Sequence, residues 1–152
     1  MRSEVQEKIM RYCAYQERCH SEVRRKLSEL GVSGDEADEI IVSLIKEGFL
    51  NEERFARLFA HGKFRLKRWG RLKIVRELEM RGLTQACIKS GLQMIDEEEY
   101  GKTLEYLISR KQGEYGEENI FVKRDKIADY LIRKGFEPDL VWDALKKLVP
   151  NP

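Results

Sequence analysis

Apolar positions fall into the same arrangement three times along the chain. Val23, Leu27, Gly31 and Val32 are followed by Ala37, Ile41 and Leu44; Ile74, Leu78, Gly82 and Leu83 by Ile88, Leu92 and Ile95; and Ile127, Leu131, Gly135 and Phe136 by Val141, Leu145 and Leu148. The three glycines are separated by 51 and 53 residues. A period of about fifty residues marks a structural repeat that stacks on its neighbours. Before each glycine the apolar spacing is i, i+4, and after it i, i+4, i+7, both helical periods. The glycine suits the C′ position, where a left-handed backbone carries no Cβ penalty, so each repeat predicts a helix, a tight turn and a second helix. A further helix precedes each pair, which divides the chain into three-helix repeats over 1–49, 50–96 and 97–152.

Capping residues place the helix starts. Ser3 with Gln6 makes a capping box for a first helix whose Val5, Ile9, Tyr12 and Cys13 share one face. Ser21 caps the second, and Ser33 with Glu36 forms a capping box for the third, which carries the stripe Ala37, Ile40, Ile41, Leu44 and Ile45 and ends at Gly48. Asn51 is a good N-cap for a long fourth helix, with Glu52 and Glu53 where the helix dipole favours negative charge. On a 100° wheel Phe55, Leu58, Phe59, Gly62, Leu66 and Trp69 predict its core stripe, and Gly62 within it predicts close approach of a neighbouring helix. Gly70 precedes a fifth helix to Arg81, Thr84 caps a sixth, and Tyr100, Leu104, Leu107 and Ile108 mark a seventh. Gln112 to Asn119, rich in glycine and carboxylates, reads as a loop and a hinge candidate. An eighth helix ends at Gly135 and a ninth starts at Pro138. No segment sustains the alternation of a strand, so the fold class is all-α.

Charged residues make up 37% of the chain, against a usual value of about a quarter, which suits thin helical layers with much solvated surface. No apolar run approaches a membrane span and the amino terminus lacks a signal-peptide layout, so a cytoplasmic protein without membrane association is expected. Cys13, Cys19 and Cys87 are odd in number and show no Cys-x-x-Cys spacing. Cys13, Cys19 and His20 could be drawn together only around one helix whose faces they do not share, so neither metal nor cofactor is expected. Catalytic chemistry has no support: there are two histidines and no nucleophile elbow, phosphate-cradling loop or zinc-helix motif. The carboxylates Asp96 to Glu99 fit a helix start, and Glu117 and Glu118 fall in the acidic loop. The chain is read as a binding protein and not as an enzyme.

A net charge of +2 conceals a division along the chain. Residues 54–81 hold 10 basic and 2 acidic side chains, while residues 1–53 hold 8 and 12 and residues 82–120 hold 4 and 8. Acidic flanks argue against an indiscriminate polyanion binder, and the central block suits phosphates or an acidic protein groove. On the fourth helix Phe64 falls with Arg57 and Arg68 opposite the assigned core stripe, with Lys67 on its flank. An aromatic ring among cations supports base stacking with phosphate contact, and equally a protein interface. Arg65, Lys67, Arg68 and Arg71 surround Gly70, and Lys73 and Arg76 follow one turn apart on the fifth helix. Arg24 and Arg25 form a smaller cationic group in the first repeat.

His20-Ser21-Glu22-Val23-Arg24-Arg25-Lys26-Leu27, then Gly48-Phe49-Leu50-Asn51-Glu52-Glu53-Arg54-Phe55-Ala56, then Gly70 with Ile74, Glu77, Leu78 and Arg81-Gly82-Leu83, together resemble the RecX family of recombinase regulators. Leu131, Arg133, Lys134, Gly135 and Phe136 are similar to that family's last repeat. The resemblance implies three tandem three-helix repeats in an elongated, curved, right-angle-free array. It further implies a monomer that binds the RecA filament, lodges in its groove, restrains its assembly, ATP hydrolysis and strand exchange, and in some members touches single- or double-stranded DNA. Asn51-Glu52-Glu53 stands where paired aspartates are common, a change compatible with capping. The contact residues expected on this reading are Arg24, Arg25, Arg57, Phe64, Arg65, Lys67, Arg68, Arg71, Lys73 and Arg76. The alternative is a helix-turn-helix regulator acting directly on DNA through 71–95, although its recognition helix offers mainly Gln85, Lys89 and Gln93.

Overall fold

Gly31, Gly82 and Gly135 all adopt left-handed backbone, with φ of 87°, 81° and 101°. Each closes a Schellman turn at the end of a helix. Val32 N–H donates to Leu27 O at 2.8 Å, Leu83 N–H to Leu78 O at 3.2 Å and Phe136 N–H to Leu131 O at 3.1 Å. The leucine and the residue after the glycine are both buried in every copy. The repeated sequence template is therefore a repeated helix stop, in which the glycine frees the backbone to turn and two apolar side chains close over the turn.

The computed structural model describes residues 3–116 and 119–150. Among the described residues there are nine α-helices and no strand. They are α1 Glu4–Tyr15, α2 His20–Glu29, α3 Gly34–Lys46, α4 Glu52–Lys67, α5 Arg71–Met80, α6 Gln85–Leu92, α7 Glu97–Tyr115, α8 Ile120–Arg133 and α9 Pro138–Leu148. No helix among the described residues is long and apolar enough to cross a membrane.

The chain forms two compact units, Met1–Phe59 with Leu78–Gly91 and Ala60–Glu77 with Leu92–Pro152. The divisions fall within α4, within α5 and at the last residue of α6, so the middle three helices contribute to both. In the first unit Ile9, Cys13, Val23, Leu27, Ile41, Leu44 and Leu50 form the centre of one apolar cluster. In the second, Ile74, Ile108, Ile127, Leu131, Phe136, Val141 and Leu145 are fully buried.

Several helix starts fall where the caps predict them. The Ser3–Gln6 capping box is complete, Asn51 Oδ1 accepts from Arg54 N–H at 2.9 Å, and Thr84 Oγ1 accepts from Cys87 N–H at 3.2 Å. Two starts differ. Helix α2 begins one residue before Ser21, with Cys19 at the cap and its N–H donating to Glu22. Ser33 occupies the α3 cap without a side-chain hydrogen bond. The last buried residue within α9 is Leu145; Leu148 is exposed, and Val149, just past the helix end, is buried in its place.

Two further expectations are corrected. The segment from Gln112 continues α7 through Tyr115, and the chain turns at Gly116 with φ 60°; its glycine at 113 sits in a helix, where local spacing outweighs propensity. Glu117 and Glu118 lie outside the described residues. The core face of α4 is Phe55, as expected, with Ala56, Ala60 and Phe64, an i, i+4 row that the wheel missed because its first two members are small. Leu58 and Leu66, assigned inward, are exposed. No neighbour approaches Gly62; the close packing is instead at Gly91 of α6, where an added Cβ would lie 2.7 Å from Ala56 O.

Candidate functional site

The second unit concentrates cations around the α4–α5 turn, and a backbone contact sets their positions. Gly70 N–H donates to Lys134 O at 2.8 Å and Leu72 N–H to Gly135 O at 2.9 Å. These bonds clamp the α4–α5 turn to the α8–α9 turn, so the side chains flanking each turn share one surface. Arg68, just before Gly70, is the one non-glycine residue with positive φ, 54°, among the described residues. That backbone is costly for a residue with a Cβ, and such strain concentrates where the surrounding structure and function require it.

Around this clamp cations alternate with aromatic rings. Arg68 Cζ lies 4.8 Å from the Tyr106 centroid, Lys73 Nζ 4.4 Å from Trp69, and Lys111 Nζ 4.0 Å from Tyr130. Lys134 Nζ donates to Lys67 O at 3.0 Å and sits 5.6 Å from Tyr130. The Lys134 ammonium is held below its ordinary range, first by burial and then by the nearby charges of Lys73, Arg68 and Lys111. Like charges held together this way attract an anion, because a phosphate or carboxylate relieves the repulsion. No carboxylate pairs with Lys67, Arg68, Lys73, Arg76 or Lys134 among the described residues. Leu66, beside them on α4, is 81% exposed. A large apolar side chain left in water amid cations suits burial by a protein partner.

The other expected contact residues separate into different roles. Phe64 is corrected: at 4% exposure it belongs to the core, packed 5.7 Å from Tyr100, whose ring in turn lies 5.2 Å from Phe136. It cannot stack on a base without unfolding α4 from that core. Arg71 is also structural. Its Nη1 donates to Glu137 at 2.8 Å, its guanidinium lies 3.8 Å from the Tyr100 ring, and its N–H donates to the Tyr100 hydroxyl at 3.0 Å. Tyr100 donates in turn to Glu137. Arg71 Nη2 lies 2.8 Å from Glu97 as an ion pair, with no directed hydrogen bond. Burial and the bond to Glu137 push the Tyr100 hydroxyl upward, so it stays protonated and donating. Arg65 pairs with Glu99 at 3.1 Å, both half exposed.

Arg24, Arg25 and Arg57 belong to the first unit. Arg24 pairs with Asp38 at 2.6 Å, while Arg25 and Arg57 are exposed. Of the residues weighed for a metal, Cys19 Sγ lies 3.2 Å from Ser21 and is raised in pKa by burial, and His20 faces Glu52 at 3.5 Å.

Sequence reasoning missed Lys111, Lys134, Tyr106 and Tyr130 as neighbours of the cationic turn. They come from α7, α8 and the residue that caps α8, about forty to seventy residues away, and nothing local couples them to it. The one available signal was Lys134 itself, which directly precedes the template glycine of the third repeat.

Comparison with known proteins covers most of the chain. Residues 7–44 match the first three-helix domain of RecX, residues 51–92 the second and residues 97–145 the third. The regulatory protein RecX of Lactococcus lactis is 30% identical over 140 residues, covering 90% of this chain and 52% of the relative. That of Bacillus cytotoxicus is 28% identical over 137 residues, covering 90% and 51%. The chain thus spans about half the length of the curated relatives it matches. The crystal structure of RecX from Lactobacillus salivarius superposes with a TM-score of 0.86 at 23% identity, covering 95% of this chain and 94% of that one, and so shares its fold.

Proposed function

Since the chain belongs to the RecX family, we propose that it is a regulator of RecA that binds the RecA nucleoprotein filament and inhibits its assembly, ATP hydrolysis and strand exchange, thereby modulating recombination and DNA repair. It acts as a monomer, by binding alone. The surface that carries the interaction is the clamp in the second unit, where Lys67, Arg68, Lys73 and Lys134 gather without carboxylate partners among the described residues. This grouping is the observation that supports the reading most strongly. A nucleoprotein offers both of the chemistries it fits: DNA phosphates and acidic protein side chains for the cations, and apolar protein surface for Leu66.

The four cations grip by charge, and the rings of Tyr106, Trp69 and Tyr130 hold the charged ends of Arg68, Lys73 and Lys134 in place. Gly70 and Gly135 position the two turns, and the Arg71–Glu137–Tyr100 network braces the start of α5 from behind. The expected outcome of reversing charge at Lys67, Arg68, Lys73 and Arg76 together is loss of RecA inhibition with unchanged helicity. Full inhibition by that folded variant overturns the reading.

A further inference from the structure

Lys134 caps the end of α8 and is held differently from an ordinary surface lysine. Its Nζ donates to Lys67 O at 3.0 Å, so the nitrogen is fixed against the end of α4. Its other neighbours are cations and a ring. A Cβ added to Gly135 would lie 2.4 Å from Lys73 Cβ, so α5 passes directly against the α8–α9 turn and brings the charge of Lys73 with it. Arg68 adds its charge from the α4–α5 turn and Lys111 from α7. The nitrogens of Lys111 and Lys134 share the Tyr130 ring, at 4.0 and 5.6 Å from its centroid. Glu114 pairs with Lys111 at 2.9 Å, while no carboxylate pairs with Lys134, Lys73 or Arg68 among the described residues.

These surroundings do two things at one nitrogen. Burial, and then the charges of Lys73, Arg68 and Lys111, loosen the Lys134 proton, so the neutral amine is more available than in an ordinary lysine. The neutral amine is the nucleophilic form, and neighbouring cations are a recognised way to activate it. Lys67 O accepts one N–H and steadies the nitrogen while its lone pair stays free. The same cations that disfavour the ammonium draw an anion to this spot. A reagent that is both anionic and electrophilic is therefore brought to a waiting nucleophile. An acyl phosphate is such a reagent, because a single oxygen separates its acyl carbon from its charged phosphorus group.

We propose that Lys134 is a site of covalent modification, acylated by acyl phosphates whose phosphate group is held by Arg68 and Lys73. The amine lone pair attacks the acyl carbon and a C–N bond forms. The bond from that carbon to the phosphate oxygen breaks, its electron pair leaves with inorganic phosphate, and the surplus proton on nitrogen passes to water. Arg68 and Lys73 stabilise the negative charge that builds on the departing phosphate. The product suits the site: an amide nitrogen keeps one N–H for Lys67 O, and the repulsion among the cations falls. Acylation also removes one cation from the clamp, so inhibition of RecA weakens; this consequence rests on the RecA reading, whereas the acylation itself concerns the chain alone.

Peptide mass spectrometry of the full chain incubated with acetyl phosphate at neutral pH, with no RecA present, tests it. Acetyl groups are expected to build up on Lys134 about tenfold faster than on Lys102 and Lys147, exposed lysines of the same unit. Excess inorganic phosphate should slow the reaction of Lys134, and chloride at the same ionic strength should not. Arg68→Gln and Lys73→Gln should each remove most of the preference for Lys134. The phosphate competition uses the unaltered chain, so it does not depend on either variant folding. Equal rates on the three lysines, or equal slowing by phosphate and chloride, overturns the proposal. Because the readout is the acetylated peptide, a failure here leaves the RecA reading standing, and a failure of that reading leaves the acylation standing.

Discussion

Gly70 and Gly135 meet backbone to backbone, so closely that a Cβ on Gly70 would overlap the Gly135 carbonyl carbon and the Phe136 nitrogen. Rigid backbone on the other side leaves no side chain to move aside. Gly70→Ala is therefore expected to destabilise the chain by about 2–3 kcal/mol, the upper end of overpacking costs. Gly62→Ala is expected to do the opposite and stabilise by about 1 kcal/mol, since nothing lies within 4 Å of its added Cβ and alanine is the better helix former. Denaturant unfolding of the two variants checks both signs.

Arg68 combines a left-handed backbone with a place in the cationic clamp. Arg68→Gly relieves the backbone and removes the charge and its contact with Tyr106. Stability is expected to stay level or rise by up to about 1 kcal/mol, while RecA inhibition weakens. Unfolding and inhibition measured on the same preparation separate the two effects. A variant that loses stability and keeps full inhibition contradicts the assignment.

Burial pushes the Cys13 thiol up to about 11 from an ordinary 9.0, with Arg18 opposing and Glu17 adding to the rise. Because the folded-state value is raised, the unfolded chain releases this proton first as pH climbs. The stability linked to Cys13 is thus complete below pH 9 and is lost between pH 9 and about 11. Unfolding free energy in reducing buffer is expected to fall across that window, with about 2–3 kcal/mol of the fall due to Cys13. Cys13→Ala should flatten the slope; an unchanged slope refutes the linkage.

The repeat architecture was legible because its signals are local. The template glycines, the leucines before them and the caps at Ser3, Asn51 and Thr84 act within one turn of the chain, where spacing and backbone chemistry decide the outcome. The α4 face was not legible. Ala56 and Ala60 carry the row into the core but weigh little on a hydrophobic wheel, while Leu58 and Leu66 weigh much and face solvent. That one misreading rotated Phe64 from the core onto the assumed contact surface.

The candidate site was half legible for a related reason. A run of cations around Gly70 is visible in sequence, but which of them remain available depends on partners far along the chain. Glu99 takes Arg65, Glu137 takes Arg71, and Lys134 arrives beside Arg68 and Lys73. Each of these pairings follows from the packing of α7 to α9 and from the clamp between two turns, which composition and periodicity do not encode.

The most direct measurement is RecA ATP hydrolysis on single-stranded DNA, titrated with this protein at about 50 and about 200 mM salt. Screening weakens contacts made by exposed cations, so the concentration needed for half inhibition is expected to rise about tenfold or more between the two. Absence of inhibition at both salt concentrations, or inhibition indifferent to salt, would contradict a cationic clamp acting on the RecA filament.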